Sequence, residues 1–492
     1  PATTEPRYYV SPLLDVALER ELDDAERTEA HQRAARHLYH IWWKAGDDFD
    51  ETRALEIHRL ALRSGEAAIA GELAGIVASH WVNAHRYREA ERLCQDTLRL
   101  GEDYPLLHNL ARAEQVLGKT GEAKQHYETA LAGCPEIDAE TEKSIVRERA
   151  AIQHNLADLL VQHGDIERAL GLWRDSLDLW DQIGDVRGKA VTLHEMAGVM
   201  AQRGDIEGAL GLWRDSLALK EQIGDVGGKA ATLNNMAGVM ARRGDIEGAL
   251  GLWRDSLDLW DQIGDVRGKA ATLHEMAGVI AQRGDIEGAL GLWRDSLDLS
   301  DQIGEVQGKA ATLHNMAWLA ASQGDRQQAR TLYLQSAQLV AAIQAWPDLA
   351  TVLGDLGALD EEDATAFLGQ ALWLALHVQV PLKNLLDLAS ALLQKLGFDA
   401  ETAPLFATAA AMRVLAQGPE YPEAEQLRDR ALELLWQCAE KRGIEAEQFE
   451  GWLTGQRLND PDHVFSAAER ALAELVGDAN WLFDRKMVLQ NL

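Results

Sequence analysis

The chain has 492 residues, 47% of them apolar, and its 48 Lys and Arg face 79 Asp and Glu, a net charge of −31. That apolar fraction supplies a substantial buried core and excludes a disordered chain. The acidic excess repels phosphate backbones and anionic bilayers, so neither nucleic acid nor a membrane is expected as a partner.

Cys94, Cys134 and Cys438 are far apart and odd in number, which offers no disulfide or zinc framework and suits a reducing cytoplasm. No run of 18 apolar residues occurs, and nothing at the start has the form of a secretion signal. The chain begins at Pro1 without an initiator Met, so sequence upstream of it is expected.

Taken in order, residues 8–14 (YYVSPLL) read as a short strand ending at Pro12, followed by a helix from about Leu13 to Tyr39. A lone strand has nothing to pair with, so residues 1–45 are expected to be the end of an upstream domain and its connecting helix. Asp47, Asp48 and Asp50 form a polar break, and residues 46–160 read as irregular helical pairs.

From 161 to 345 one unit is written four times. Its copies begin at Asp165, Asp205, Asp245 and Asp285, and Trp173, Trp213, Trp253 and Trp293 recur at the same spacing of 40. In one helix Leu193, Met196, Ala197 and Met200 fall at i, i+3, i+4 and i+7; in the next, Ile206, Ala209, Leu210, Trp213 and Leu217 form a similar stripe. Gly204 then Asp205, and Gly184 then Asp185, supply a left-handed stop followed by an N-cap. The stripe places the Trp of each copy in the core. A strict repeat of this kind stacks into an array in which each unit buries its face against its neighbours. Residues 346–492, broken by Pro347, Pro381, Pro404 and Pro419, read as divergent helical repeats and a C-terminal cap. Helices are expected over 382–396 and 423–442, and at 467–492.

The stretch 107–135 carries Leu110–Ala111, Gly118, Ala123, Tyr127, Ala130 and Pro135, and the long copies keep that frame in Met196–Ala197, Gly204, Ala209, Trp213 and Ser216. This pattern resembles tetratricopeptide repeats, although the insertion QIGDVRGKA makes each copy longer. The resemblance covers residues 50–345 and implies an all-α, right-handed superhelical solenoid of antiparallel helix pairs. It also implies that the first helix of each pair lines a concave surface.

Chemical motifs fail on spacing. Gly118–Lys119–Thr120 has Ala113 where a phosphate loop needs Gly, and it follows a helix, not a strand. Gly184 to Ala190 is one residue short for the same loop. His194–Glu195 and His274–Glu275 have Gly198 and Gly278 where a zinc protease motif needs its second His. No enzyme, metal or cofactor is expected in this chain.

What remains is variation at fixed frame positions: His154 and His194/Asn234/His274/His314, then Glu195/Asn235/Glu275/Asn315, beside Gly198/Gly238/Gly278/Trp318. We read these as a ligand-binding set on the concave face, with small residues opening a groove walled by His and Asn. Trp180 and Trp260, whose counterparts Lys220 and Ser300 show that the slot need not be apolar, are either semi-exposed anchors for a partner or edge packing. Gly198, Gly208 and Gly211 inside helices each cost about 1 kcal/mol relative to Ala. An array that changes curvature on a ligand is therefore expected, with Gly→Ala changes raising stability.

The order at the N-terminus, YYVSPLLDVALERELDDAERTEAHQRAARHLYHIWW, resembles the end of a winged-helix domain running into a repeat arm, as in STAND-class signal-transduction ATPases. In that family the arm holds an ATPase inactive until it meets its trigger. The resemblance implies a sensor arm that binds a protein, peptide or small-molecule effector, with the upstream ATPase module of the same chain as its second partner. A free-standing scaffold or co-chaperone-like peptide binder is the alternative.

Overall fold

The computed structural model describes residues 22–45, 49–138, 140–359, 363–377 and 382–395, and positions scattered between 433 and 449. The expected strand at 8–14 and the helix at 467–492 lie outside them, as does most of 423–442. Among the described residues every regular element is helical, and consecutive helices pack as pairs. The fold is the expected all-α helix-pair solenoid. The chain divides into two compact units, Pro1–Val239 and Met240–Leu492.

In the first unit α1 (Asp24–Leu38) runs on into a π-helical turn, Tyr39–Lys44. Asp23 and Glu26 close a capping box at its start. Then come α2 (Glu51–Ser64), α3 (Ala67–Asn83), α4 (Tyr87–Leu98), α5 (Tyr104–Val116), α6 (Thr120–Gly133), α7 (Lys143–Gln162), α8 (Ile166–Ile183), α9 (Val186–Gln202) and α10 (Ile206–Gln222). The division falls within α11 (Val226–Arg243). The second unit continues with α12 (Ile246–Ile263), α13 (Val266–Gln282), α14 (Ile286–Ile303), α15 (Val306–Ser322), α16 (Arg326–Ala342), α17 (Trp346–Leu359), α18 (Ala364–His377) and α19 (Leu382–Lys395). The expected helix at 382–396 is α19. Gly118–Lys119–Thr120 is the turn from α5 to α6, where Gly118 has φ +79° and Lys119 Nζ pairs with Glu91 at 2.6 Å. It is a helix–helix turn and has no phosphate-loop geometry.

The repeat grammar acts as its residues dictate. Gly204 takes φ +89°, which L side chains rarely adopt, and Asp205 then accepts the Gly208 N–H at 3.0 Å. Gly184 (φ +70°) and Asp185, which accepts from Gly188 N at 2.9 Å, do the same at the other end. The four repeat tryptophans are 1–2% exposed. The frame serine works as a staple: Ser176, Ser216, Ser296 and Ser336 donate to the carbonyls of Ala150, Ala190, Ala270 and Ala310 at 2.7–2.9 Å. Each ties the second helix of one pair to the first, using a carbonyl lone pair that the helix ladder leaves spare.

The helix glycines separate into two kinds. A Cβ on Gly198 or Gly211 would meet nothing within 4 Å, whereas on Gly208 it would stand 2.5 Å from the capping Asp205 Oδ2 and 2.6 Å from Met200 Cε. The expectation that all three tolerate Ala is therefore corrected for Gly208, whose missing side chain makes room for its own cap. On Gly188 a Cβ would stand 2.6 Å from Trp180 ring carbons. Gly211→Ala should stabilise by about 1 kcal/mol. Gly188→Ala should destabilise by about 1–3 kcal/mol through overpacking. Urea titrations followed by circular dichroism distinguish the two, and equal effects would refute the assignment.

Candidate functional site

The candidate residues lie on the first helices of successive pairs. In the first unit these are α7, α9 and the first part of α11; in the second they are α13, α15 and α17. Three frame positions sit together on one side of each helix, at i, i+1 and i+4: His154, Asn155 and Asp158 on α7 and His194, Glu195 and Gly198 on α9. On α13 and α15 they are His274, Glu275 and Gly278, then His314, Asn315 and Trp318.

The histidines are half-buried and act between repeats. His194 Nδ1 lies 3.0 Å from Thr232 Oγ1, and Asn235 Nδ2 lies 3.1 Å from His194 Nε2. The threonine hydroxyl spends its proton on the Gly228 carbonyl at 2.8 Å. It therefore accepts from Nδ1–H, which leaves Nε2 to accept from the asparagine. The second unit repeats the device: His274 Nδ1 to Thr312 Oγ1 at 2.9 Å, and Asn315 Nδ2 to His274 Nε2 at 3.1 Å. His154 Nδ1 bonds Thr192 Oγ1 at 3.0 Å, while its Nε2 lies 3.4 Å from Asp158 Oδ2. His314 departs from the pattern: its Nε2 meets Asp355 Oδ2 at 2.9 Å and its ring stands edge-on to Tyr333, centroids 5.3 Å apart. Burial holds His154 at about 4, and burial with the Lys220 ammonium holds His194 at about 4. These rings are neutral at pH 7, as the bonding requires.

The alternation of His–Glu with Asn–Asn or His–Asn along the frame now has a physical reason. The asparagine at the second position of one repeat serves the histidine of the repeat before it. Asn234 stands apart, for its Oδ1 is buried with no hydrogen-bond partner among the described residues.

The groups that reach solvent are Glu195, Asn235, Glu275 and Trp318, the last 53% exposed. Space is open above Gly198 and Gly278. In the first unit the open space above Gly198 lies on the same helix as the exposed Glu195, and in the second that above Gly278 lies on the same helix as the exposed Glu275. Burial of its carboxyl pushes Glu195 up, with the Lys220 ammonium pulling it back.

Two residues on this face were not singled out as binding candidates. Asp158 occupies the frame position of Gly198, Gly278 and Trp318, and burial, with Glu195 adding repulsion, raises its carboxyl to about 8. Extending the spacing of 40 one step back from Gly198 reaches it. Lys220 is 4% exposed, its Nζ donating to Thr232 Oγ1 at 2.9 Å and the Gly228 carbonyl at 3.3 Å. Burial pushes its ammonium down, opposed by Asp225 and Glu195. Trp180, Trp260 and Ser300 at the same frame position are 6%, 9% and 2% exposed. All four are packed residues and not exposed anchors. The His–Asn ladder also begins earlier, at His108 and Asn155 (2.8 Å), where the separation of 47 residues hides it from the 40-residue frame.

Among the described residues no His, Cys, Asp and Glu cluster could hold a metal ion, and no helix is long and apolar enough to cross a membrane.

Comparison with curated proteins finds no match. Among solved structures, the chain is similar to the apo form of the quorum sensor NprR from B. thuringiensis, at 13% identity and TM-score 0.46, over 74% of this chain and 97% of that one. It is also similar to a tetratricopeptide repeat protein from Parabacteroides merdae (16%, TM-score 0.40, 54% and 91%) and to BtubC from P. vanneervenii (18%, TM-score 0.35, 50% and 93%). Sequence profiles of the tetratricopeptide repeat match residues 148–222 and 268–342, and a second such profile matches 230–262. The matched spans coincide with the helix pairs α7 to α16, so this part of the chain is built of tetratricopeptide repeats.

Proposed function

We propose that the chain is the effector-sensing arm of a STAND-type signalling ATPase, binding a peptide, protein or small effector on the first-helix face of its repeats. The observation that supports the recognition half is made in each unit by itself: open space over Gly198 beside the accessible Glu195 in the first, and open space over Gly278 beside the accessible Glu275, with the exposed Trp318 on the next first helix, in the second. Inter-repeat hydrogen bonds already fix the histidines beneath. A preset wall costs a ligand less ordering entropy than a mobile one. The attachment to an ATPase rests on the resemblance of residues 8–43 to a winged-helix end. A free-standing scaffold is the second reading, and the coding sequence before Pro1 distinguishes the two: a phosphate loop and winged helix support the arm, a start codon the scaffold.

Recognition is tested by selecting a random-peptide phage library on the full chain. Trp318→Ala and Glu195→Gln should each weaken the selected peptides by about tenfold or more, as truncation of an exposed anchor does, with melting temperatures nearly unchanged. His274→Ala suits the test less well, because it breaks two inter-repeat bonds and lowers stability. Peptides that bind both variants as tightly as the parent would remove the face from consideration.

A further inference from the structure

At one frame position the chain buries an amide where the four long copies bury a leucine. Leu193, Leu233, Leu273 and Leu313 are 6–8% exposed, and one repeat before Leu193 stands Gln153, also 6% exposed. Its Oε1 has no hydrogen-bond partner among the described residues. A buried acceptor left unpaired destabilises a fold, and buried polar groups are as a rule hydrogen-bonded. Packing alone would be served by leucine, so the amide calls for a partner.

Gln153 lines a cavity of about 400 Å³, open to solvent, where α7 and α8 meet the connection that follows α6. α6 has 14 residues against 18 for α8, α12 and α14. After Gly133 the chain leaves the helix, and Glu136 and Ile137 border the cavity. The connection is tied down from both helices. Arg149 Nη1 donates to the carbonyls of Cys134 and Pro135 at 3.3 and 3.4 Å, and Gln182 Nε2 donates to that of Asp138 at 3.2 Å. The rest of the lining is Arg149 of α7 with Asp175, Asp178 and Leu179 of α8. Asp175 and Asp178, three residues apart, share one side of α8, and both are exposed. Neither they nor Glu136 make an ion pair among the described residues. Three carboxylates thus face a single guanidinium that is already committed to two carbonyls, which leaves the cavity negative.

We propose that this cavity binds a primary ammonium group from outside the chain, with its aliphatic stem on Ile137 and Leu179. An ammonium has three N–H donors and no acceptor, and Asp175, Asp178 and the Gln153 oxygen supply three acceptors. The terminal torsion of a glutamine has broad minima, so the oxygen can turn to the cavity. The carboxylates answer the ligand's charge, and the amide selects for N–H over charge alone. The proposal shares no residue with the groove at Glu195, Glu275 and Trp318, so the two readings fail separately.

The test is calorimetric titration of the full chain with n-butylamine, Nα-acetyl-lysine-N-methylamide and butyltrimethylammonium. n-Butylamine should bind at one site. Butyltrimethylammonium, which keeps the charge and has no N–H, should bind at least about tenfold more weakly. Gln153→Leu installs the side chain of the other copies. It should weaken n-butylamine by about tenfold or more, the worth of a hydrogen bond to a charged group, without lowering the melting temperature. Asp175→Asn combined with Asp178→Asn should weaken it at least as much. Asp295→Asn with Asp298→Asn, the same frame positions in a copy that carries Leu273, should leave binding unchanged. Binding of the lysine derivative as well as n-butylamine identifies a peptide lysine as the source, and binding of n-butylamine alone identifies a free amine. Failure of both amines to bind, equal binding of butyltrimethylammonium, unchanged affinity in Gln153→Leu, or an equal loss in the Asp295 and Asp298 variant would each overturn the proposal.

Discussion

Trp213→Ala should cost about 3–5 kcal/mol, the usual range for removing a buried tryptophan. The side chain is 2% exposed, its Nε1–H donates to the His194 carbonyl at 3.2 Å, and its ring lies 6.4 Å from the His194 imidazole. Its counterpart Trp173 belongs to a cluster with Ile152, Leu156, Met196 and Val199, drawn from the helices on either side. Truncation therefore opens a hole between repeats, and nearest-neighbour coupling carries the loss into adjacent units. Urea unfolding monitored by circular dichroism measures it, with the exposed Trp318→Ala as a control expected within about 0.5 kcal/mol of the parent. A loss below about 1 kcal/mol for Trp213→Ala, the ordinary surface range, would remove the tryptophan ladder from the core.

The second large effect is on pH. Burial holds His58, like His154 and His194, at about 4, against an ordinary value of 6.5. A base depressed in the folded state contributes stability that is present above pH 6.5 and is lost as pH falls through 4, because the unfolded chain takes the proton first. Asp158, raised to about 8 from 3.8, runs the other way. Its contribution is present below 3.8 and is lost as pH rises through 8.

Asp158→Asn should therefore stabilise the protein by an amount that grows between pH 4 and 8 and is constant beyond. Each tenfold change in a group's proton affinity on folding is worth about 1.4 kcal/mol, so the plateau should reach a few kcal/mol after allowance for partial exposure. Glu195, also raised, and Lys220, lowered, face the same region and adjust this gain without reversing its sign. Thermal melts of the two proteins from pH 4 to 9 provide the check. A pH-independent difference would mean that Asp158 is ionised like a surface carboxylate.

The residues of the His–Thr–Asn ladder show where local reasoning stops. His194, Asn234 and His274 vary at a fixed frame position, and variation by itself reads as exposure. In the folded chain His194 and His274 are half-buried because their hydrogen-bond partners, Thr232 with Asn235 and Thr312 with Asn315, lie 38 and 41 residues on. Variation there reflects donors and acceptors that must match between repeats. Lys220 deceives in the same way, since a lysine on a helix reads as solvated until Thr232 Oγ1 and the Gly228 carbonyl are placed around its ammonium.

The sequence by itself determined the helix pairs, their turns at Gly184 and Gly204, the caps at Asp185 and Asp205 and the burial of the four repeat tryptophans. Each depends on contacts within about a turn of helix or on a period written four times, and both survive in one dimension. Only the tertiary structure decided that Gly208 yields its side chain to a cap, that Asp158 is a raised carboxyl and that Lys220 is buried against Thr232. Those properties arise from what neighbouring repeats place opposite a residue, and distance along the chain does not reveal what stands across an interface.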